Sequence, residues 1–600
     1  MLKSSDPPIL ENNTADSLLT RLLAWEWAVG LALLPAFWLP GWWSWGALAL
    51  ALAFKLGRGL LQGRWWQPTP LDIPITFLAG GALVGLLVSL DSRLSANRAW
   101  SLVGGLVVYY AVTASLTPKQ AIRWALPGLA GVGVLVGLVS LVATDWGRGD
   151  LLKIPFVYDY LPHLGFGNLG SGASAEQELN PRVIAGILVL LFPASWLLAA
   201  KKETPRWLWL IAAVFTGGVL FLTQAPTAIG GIVMAAVLVW LLGRVPWWAV
   251  LAGSFAALVG GWFLLLWLLE HLNSTLEPGQ RIVFRLEMWL RSLDMLTDRP
   301  FSGSGLNNFA VQINTFYPTY SLGPEAHAHN IILQTALDGG ILGLIGFLSL
   351  LVLVAIGIIR GWGKQPEARG IVAAVATGTL GWLFYGVAES ITLAHKPAVI
   401  LWFGWGVVAV LTREAKPAPQ GRKLTPLIIL VGLVIGGLGL GLTWDRLQLD
   451  LAVMEGQKAV LSGDPTAQNK AATNLQNATA KTKASPTILD LQARLAVMQS
   501  DFPAATTYLK QEIVQDGLDT VNRYITAEWA IWGTRPTSEQ NTQIRLYRQW
   551  RIRYPNDPLA YARLALAQGC PSTEARQTLQ EGLSQTNSPF LQYLLSKVGC

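Results

Sequence analysis

Charge is the first shortage. Asp, Glu, Lys and Arg make up 13% of the 600 residues and hydrophobic residues 52%, whereas soluble domains carry about a quarter charged residues. A water-soluble core cannot hide that much apolar surface, so a mean hydropathy of +0.42 places the chain among membrane proteins. A basic cluster is also missing. The net charge of +8 is spread through short connections between apolar runs, which excludes a nucleic-acid-binding face. No cleavable leader is expected either, because roughly the first 20 residues are polar and no small-residue cleavage pattern follows the first apolar run. That run is expected to act as an uncleaved anchor. Cysteine is limited to Cys570 and Cys600, and in an oxidising compartment this pair permits one disulfide tying down the C-terminus. The segments between spans hold no Asp/Asp or His/Glu cluster, so neither a metal nor another cofactor is expected.

What is abundant is long apolar sequence. Runs able to cross about 30 Å of hydrocarbon lie near 21–39, 43–61, 71–90, 98–116, 121–143, 182–200, 206–223, 226–243, 246–269, 338–359, 369–389, 394–412 and 425–443. The expected fold class is therefore all-α, a multi-pass membrane protein of about 12–13 transmembrane helices. The 28 Trp cluster at segment ends, as in Trp42-Trp43, Trp65-Trp66 and Trp247-Trp248, where an amphipathic indole sits at headgroup level. With the tail 1–20 in the cytoplasm, basic residues such as Arg58, Lys119, Lys201, Arg244, Arg360 and Arg413 all fall in cytoplasmic connections, as the positive-inside rule demands. The loops 144–181 and 270–328 and everything after Trp444 are then exported.

The first loop is rich in glycine and turn formers, and the second has helical spacing from Gln280 to Met295 that predicts an amphipathic helix. From 444 to 600 the composition turns polar with helical apolar spacing. The pairs 487–499 with 503–515 and 558–568 with 572–584 read as helix–turn–helix units of tetratricopeptide-like type. Ionisable residues at membrane depth are costly and call for a role; they include Glu26, placed near a span end where it can snorkel, Arg182, Glu389 and His395.

Where the second exported loop enters a span, the chain reads His327-Ala328-His329-Asn330, with Gly340 and Gly343 following. A histidine at the outer interface meets both a lipid-linked group and a water-borne acceptor, and its near-neutral pKa suits proton transfer. Gly340 and Gly343 at i, i+3 are expected to leave a flat face for helix packing. Upstream, Arg281 and Arg285 stand at i, i+4 and share one helical face, with Arg291 and Arg299 nearby. Planar guanidinium groups bind phosphate oxygens bidentately.

His-Asn, nine residues, then Gly-x-x-Gly, together with the Arg281–Trp289 run and the Pro300-Phe301-Ser302-Gly303-Ser304-Gly305 turn, resembles the O-antigen ligase and O-antigen polymerase family. The resemblance covers about residues 20–412, and 444–600 lies outside it. It implies a GT-C-like membrane glycosyltransferase in the bacterial inner membrane, with the C-terminal domain periplasmic. Such an enzyme transfers or polymerises a glycan from an undecaprenyl-diphosphate carrier onto a glycan, lipid or protein acceptor, without a metal. His329 would be the general base, with Arg281, Arg285, Arg291 and Asn330 on the substrate and Glu325, His327, Gly340 and Gly343 in support. The family's Ser-Arg-Gly is replaced here by Ala225-Pro226-Thr227. Arg182 or Arg93 would stand in for the missing arginine. An anion transporter related to bicarbonate uptake and an inactive scaffold that presents a protein-binding helical domain are the alternatives.

Overall fold

The computed structural model describes residues 23–597 apart from 39–41, 63–66, 147–180, 202–204, 246–276, 320–324, 414–443 and 517–538 and single positions 24, 145, 243, 318, 365, 388, 390 and 483. Among the described residues there is helix and no strand. Each apolar run read from the sequence is a helix, except 246–269 and 425–443, which lie outside the described residues. In order these are α1 (Glu26–Trp38), α2 (Trp42–Gln62), α3 (Asp72–Leu87), α4 (Ser92–Ser115), α5 (Leu126–Ala143), α6 (Pro181–Ala200), α7 (Arg206–Leu222) and α8 (Pro226–Leu242). The segment after α8 supplies α9 (Glu277–Asp298) and the short α10 (Phe309–Thr315). Then come α11 (Ile331–Lys364), α12 (Arg369–Gly386) and α13 (Val399–Thr412).

Among the described residues three stretches, Pro118–Leu141, Pro181–Ala200 and Ile331–Gly363, are long and apolar enough to cross a membrane, and shorter apolar helices include Asp72–Leu87, Arg206–Leu222, Pro226–Leu242 and Lys396–Thr412. The protein is an all-α membrane protein.

The polar C-terminal part forms α14 (Trp444–Ser462), α15 (Pro465–Thr479), α16 (Pro486–Met498), α17 (502–516), α18 (Glu539–Arg553), α19 (Pro558–Ala567), α20 (Thr573–Thr586) and α21 (Pro589–Lys597). Local sequence explains these boundaries. Asp464, Ser485, Asp557 and Ser572 each cap the following helix by accepting a backbone N–H, and Pro465, Pro486 and Pro558 open the first turn. A capping oxygen satisfies an orphan donor, and proline has no N–H to waste at that position.

The chain divides into two compact units: 1–75 with 97–245 and 348–415, and 76–96 with 246–347 and 416–600. In the first, α6, α8 and α12 pack through small residues, so that a Cβ at Gly231 would lie 3.0 Å from the Gly381 carbonyl. Trp382, Trp402 and Trp405 are fully buried there. Glu26 does not snorkel: it is buried and ion-paired with Arg58 at 3.2 Å. Burying the pair together avoids leaving one charge alone in an apolar setting.

In the second unit, α9, α10, the start of α11 and the C-terminal helices share one core. Met288, Met295, Phe309, Ile313, Phe316 and Leu337 are buried with Leu449, Val453, Leu475, Ile488 and Leu491. The composition change near 444 does not mark where this core ends. Cys570 is disulfide-bonded, and among the described residues no cysteine is free.

Candidate functional site

The site is built around a break in α11. Gly340 sits inside this helix with φ 60°, ψ −160°, a left-handed conformation that glycine adopts without steric cost. The gap receives the Pro300–Gly305 turn. Ile341 donates to the Pro300 carbonyl at 3.0 Å and Ser304 to the Leu337 carbonyl at 2.7 Å. A Cβ at Gly340 would lie 1.9 Å from the Phe301 oxygen, and one at Gly303, itself at φ +65°, would lie 2.2 Å from the Leu337 oxygen. The expected flat face of Gly340 and Gly343 is therefore divided between two jobs. Gly340 breaks the helix to seat the turn, while Gly343 faces α3, where a Cβ on Gly81 would come 2.4 Å from the Gly343 nitrogen.

A buried polar network fixes the turn from beneath. Asp450 on α14 accepts from Phe301 N at 3.1 Å, Ser302 N at 3.2 Å and Ser302 Oγ at 2.6 Å. Arg299 stands 3.6 Å from the same carboxylate and donates to Gln457 Oε1 at 2.9 Å. Gln457 also accepts from Gln312. On the other side, Asn308 bonds Ser89, Ser95 and the backbone at Leu90 and Asp91.

Above the turn lies the His327–Asn330 junction. His329 is buried and holds φ +49°, a region that a side chain with a Cβ occupies at roughly 1–2 kcal/mol. Its carbonyl accepts from Trp289 Nε1 at 3.3 Å, and its ring lies edge-on to Phe284 at 6.0 Å between centroids. The neighbouring Ala328 N donates to Gln334, which in turn donates to Asp338; that carboxylate also accepts from Asn307 N. The His329 Nε2 lies 3.9 Å from Glu325 Oε2, and the His327 ring stands 4.3 Å from that of His329. Burial pushes the Glu325 carboxyl up to about 7, with Arg553 pulling it down and Glu287 pushing it up. Asn330 caps α11, its Oδ1 accepting from Ile332 N at 3.0 Å and Leu333 N at 3.2 Å.

The expected amphipathic helix is α9. It carries both Arg281 and Arg285; the Arg281 side chain lies outside the described residues, and Arg285 is half-buried with no hydrogen bond or ion pair to another described residue. Arg291 is committed elsewhere: it is buried between Asp294 at 3.6 Å and Asp516 at 3.4 Å. Of the two proposed substitutes for the missing arginine, Arg93 is exposed at the start of α4. Arg182 belongs to the first unit, at the start of α6, 3.7 Å from Glu389. The Pro226-Thr227 position opens α8 after a tight turn in which Gln224 takes φ +50°.

Residues 211–348 match the O-antigen ligase family model. The segment includes α9, the glycine turn, His329 and the broken start of α11, so the family resemblance read from sequence and the site geometry coincide. No curated protein matches the chain. An O-antigen ligase segment in an all-α membrane protein supports a glycan-transfer type of function in general terms. Sequence spacing missed Asn314, Gln334, Asp338 and Arg553. Each acts on the junction through a backbone atom or from far along the chain, which no local pattern records.

Proposed function

We propose that the protein transfers or polymerises a glycan from undecaprenyl diphosphate onto an acceptor at the exported face of the bacterial inner membrane. The observation that carries this reading is His329. Within the family-matched segment, a buried imidazole is held in a left-handed backbone beside the Glu325 carboxyl. In the proposed reaction His329 takes the proton of an acceptor hydroxyl, whose oxygen bonds to the anomeric carbon of the donor glycan. The bond from that carbon to the diphosphate breaks and the anomeric centre inverts. General-base assistance of this kind is worth about 10²–10⁴ in rate. Glu325, once ionised, stabilises the imidazolium that forms. Arg285, with Arg281 one turn before it, holds the departing diphosphate, a role suited to guanidinium groups.

The C-terminal helices, with their helix–turn–helix pairs, hold the acceptor or a synthesis partner. Deleting the gene is expected to leave surface polysaccharide shortened or unattached, as read on a glycan gel. Unchanged polysaccharide with impaired bicarbonate uptake would favour transport over transfer, and unchanged polysaccharide with unchanged uptake would favour the scaffold.

A further inference from the structure

We propose that Arg553, on a C-terminal helix outside the family-matched segment, is a positioning residue for His329, acting through Asn314 and Glu325. Arg553 is the last residue of α18. Its guanidinium donates through Nη2 to Asn314 Oδ1 at 3.0 Å and through Nη1 to the Thr319 hydroxyl. Thr319 is fully buried. Asn314, on α10, then grips the backbone of one residue from both sides: its Nδ2 donates to the Glu325 carbonyl at 3.0 Å and its Oδ1 lies 3.4 Å from the Glu325 nitrogen. A further bond from Asn314 Nδ2 to the Ala310 carbonyl at 2.7 Å fixes the amide on its helix. Glu325 in turn faces His329 at 3.9 Å.

The connection is made of oriented hydrogen bonds, and its first link is charge-assisted, which makes it about twice as strong as a neutral one. A planar fork can hold Asn314 and Thr319 together, and a single ammonium cannot reproduce that geometry. Arg553 has a second effect, because its positive charge favours the ionised form of Glu325 against burial and against Glu287. The groups facing Glu325 are therefore Arg553, Glu287 and His329, with the His327 ring tilted against that of His329. Losing Arg553 loosens the carboxyl and favours its neutral form. Both changes act on the same imidazole.

Calling this a site rests on the reading of His329 as the base, whereas the coupling from Arg553 to His329 does not. The test uses full-length protein in nanodiscs, treated with diethyl pyrocarbonate, which carbethoxylates neutral imidazole. Modification at each histidine is followed by mass spectrometry from pH 5.5 to 8. Arg553→Gln and Arg553→Lys are compared with wild type and with Arg551→Ala, which removes a neighbouring α18 arginine that pairs with Glu581 on α20. The expected result is a change of threefold or more in the His329 rate at pH 7 in Arg553→Gln, a smaller change in Arg553→Lys, and unchanged rates at His395 in both. Arg551→Ala should match wild type. The proposal is overturned if both Arg553 variants leave the His329 rate at the wild-type value, or if His395 shifts by the same factor as His329. Retention of glycan transfer by His329→Ala would remove the catalytic reading while leaving this coupling measurable.

Discussion

Replacing Asp450 by Ala should destabilise the second unit by about 3–5 kcal/mol, because removing one partner of a buried ion pair leaves the other uncompensated. Both side chains are 1% exposed, so water cannot take over. The carboxylate also satisfies the backbone N–H of Phe301 and of Ser302, and each buried donor left without a partner adds about 1–3 kcal/mol. Arg299 keeps its bonds to Gln457 and Ser302, which offsets part of this and keeps the total near the stated range. The double variant Arg299→Met, Asp450→Asn strands no charge and retains an acceptor for the turn, so it should cost less than Asp450→Ala alone. Denaturant unfolding of the full-length protein in detergent, followed by circular dichroism, measures both. A loss below about 1 kcal/mol for Asp450→Ala, or a double variant worse than the single, would refute the view that this pair holds the glycine turn to α14.

Gly340→Ala places a Cβ 1.9 Å from the Phe301 oxygen at a positive φ, so it should lower the thermal midpoint and abolish function, whereas Gly80→Ala, with nothing within 4 Å of its Cβ, should be tolerated in the same melt. Burial raises the Asp298 carboxyl from 3.8 to about 7, so the fold favours its protonated form. The stability this gives is full below 3.8 and is lost as pH rises through 7, amounting to about 4 kcal/mol at 1.36 kcal/mol per unit. Asp298→Asn keeps an acceptor for the Tyr317 hydroxyl and should raise the melting temperature more at pH 8 than at pH 5; equal gains at both would argue against the titration. Non-reducing mass spectrometry should find Cys570 blocked to alkylation, and an alkylatable Cys570 would contradict the bond.

Helices at membrane depth were legible because length and hydropathy act residue by residue, and the caps at Asp464, Ser485, Asp557 and Ser572 act within one turn. The position of His329 just ahead of α11 was legible because the end of a polar loop and the start of an apolar helix form a local pattern. The break at Gly340 was not, since Gly-x-x-Gly spacing fits a packing face equally well and only the arrival of the Pro300–Gly305 turn decides. Arg291 reads in sequence as one of a basic cluster, yet Asp516 more than two hundred residues later claims it. Separations of more than one hundred and more than two hundred residues likewise hide Asp450 from Arg299 and Arg553 from Asn314. Buried polar pairs of this kind are fixed by tertiary packing, and nothing in their neighbours' spacing announces them.

A strain lacking the gene and complemented with His329→Ala gives the most direct answer, provided membrane blots show the variant at wild-type abundance. Proton removal at His329 predicts a surface-glycan profile identical to that of the uncomplemented deletion, with wild-type complementation restoring the normal ladder. Full restoration by the alanine variant would contradict it.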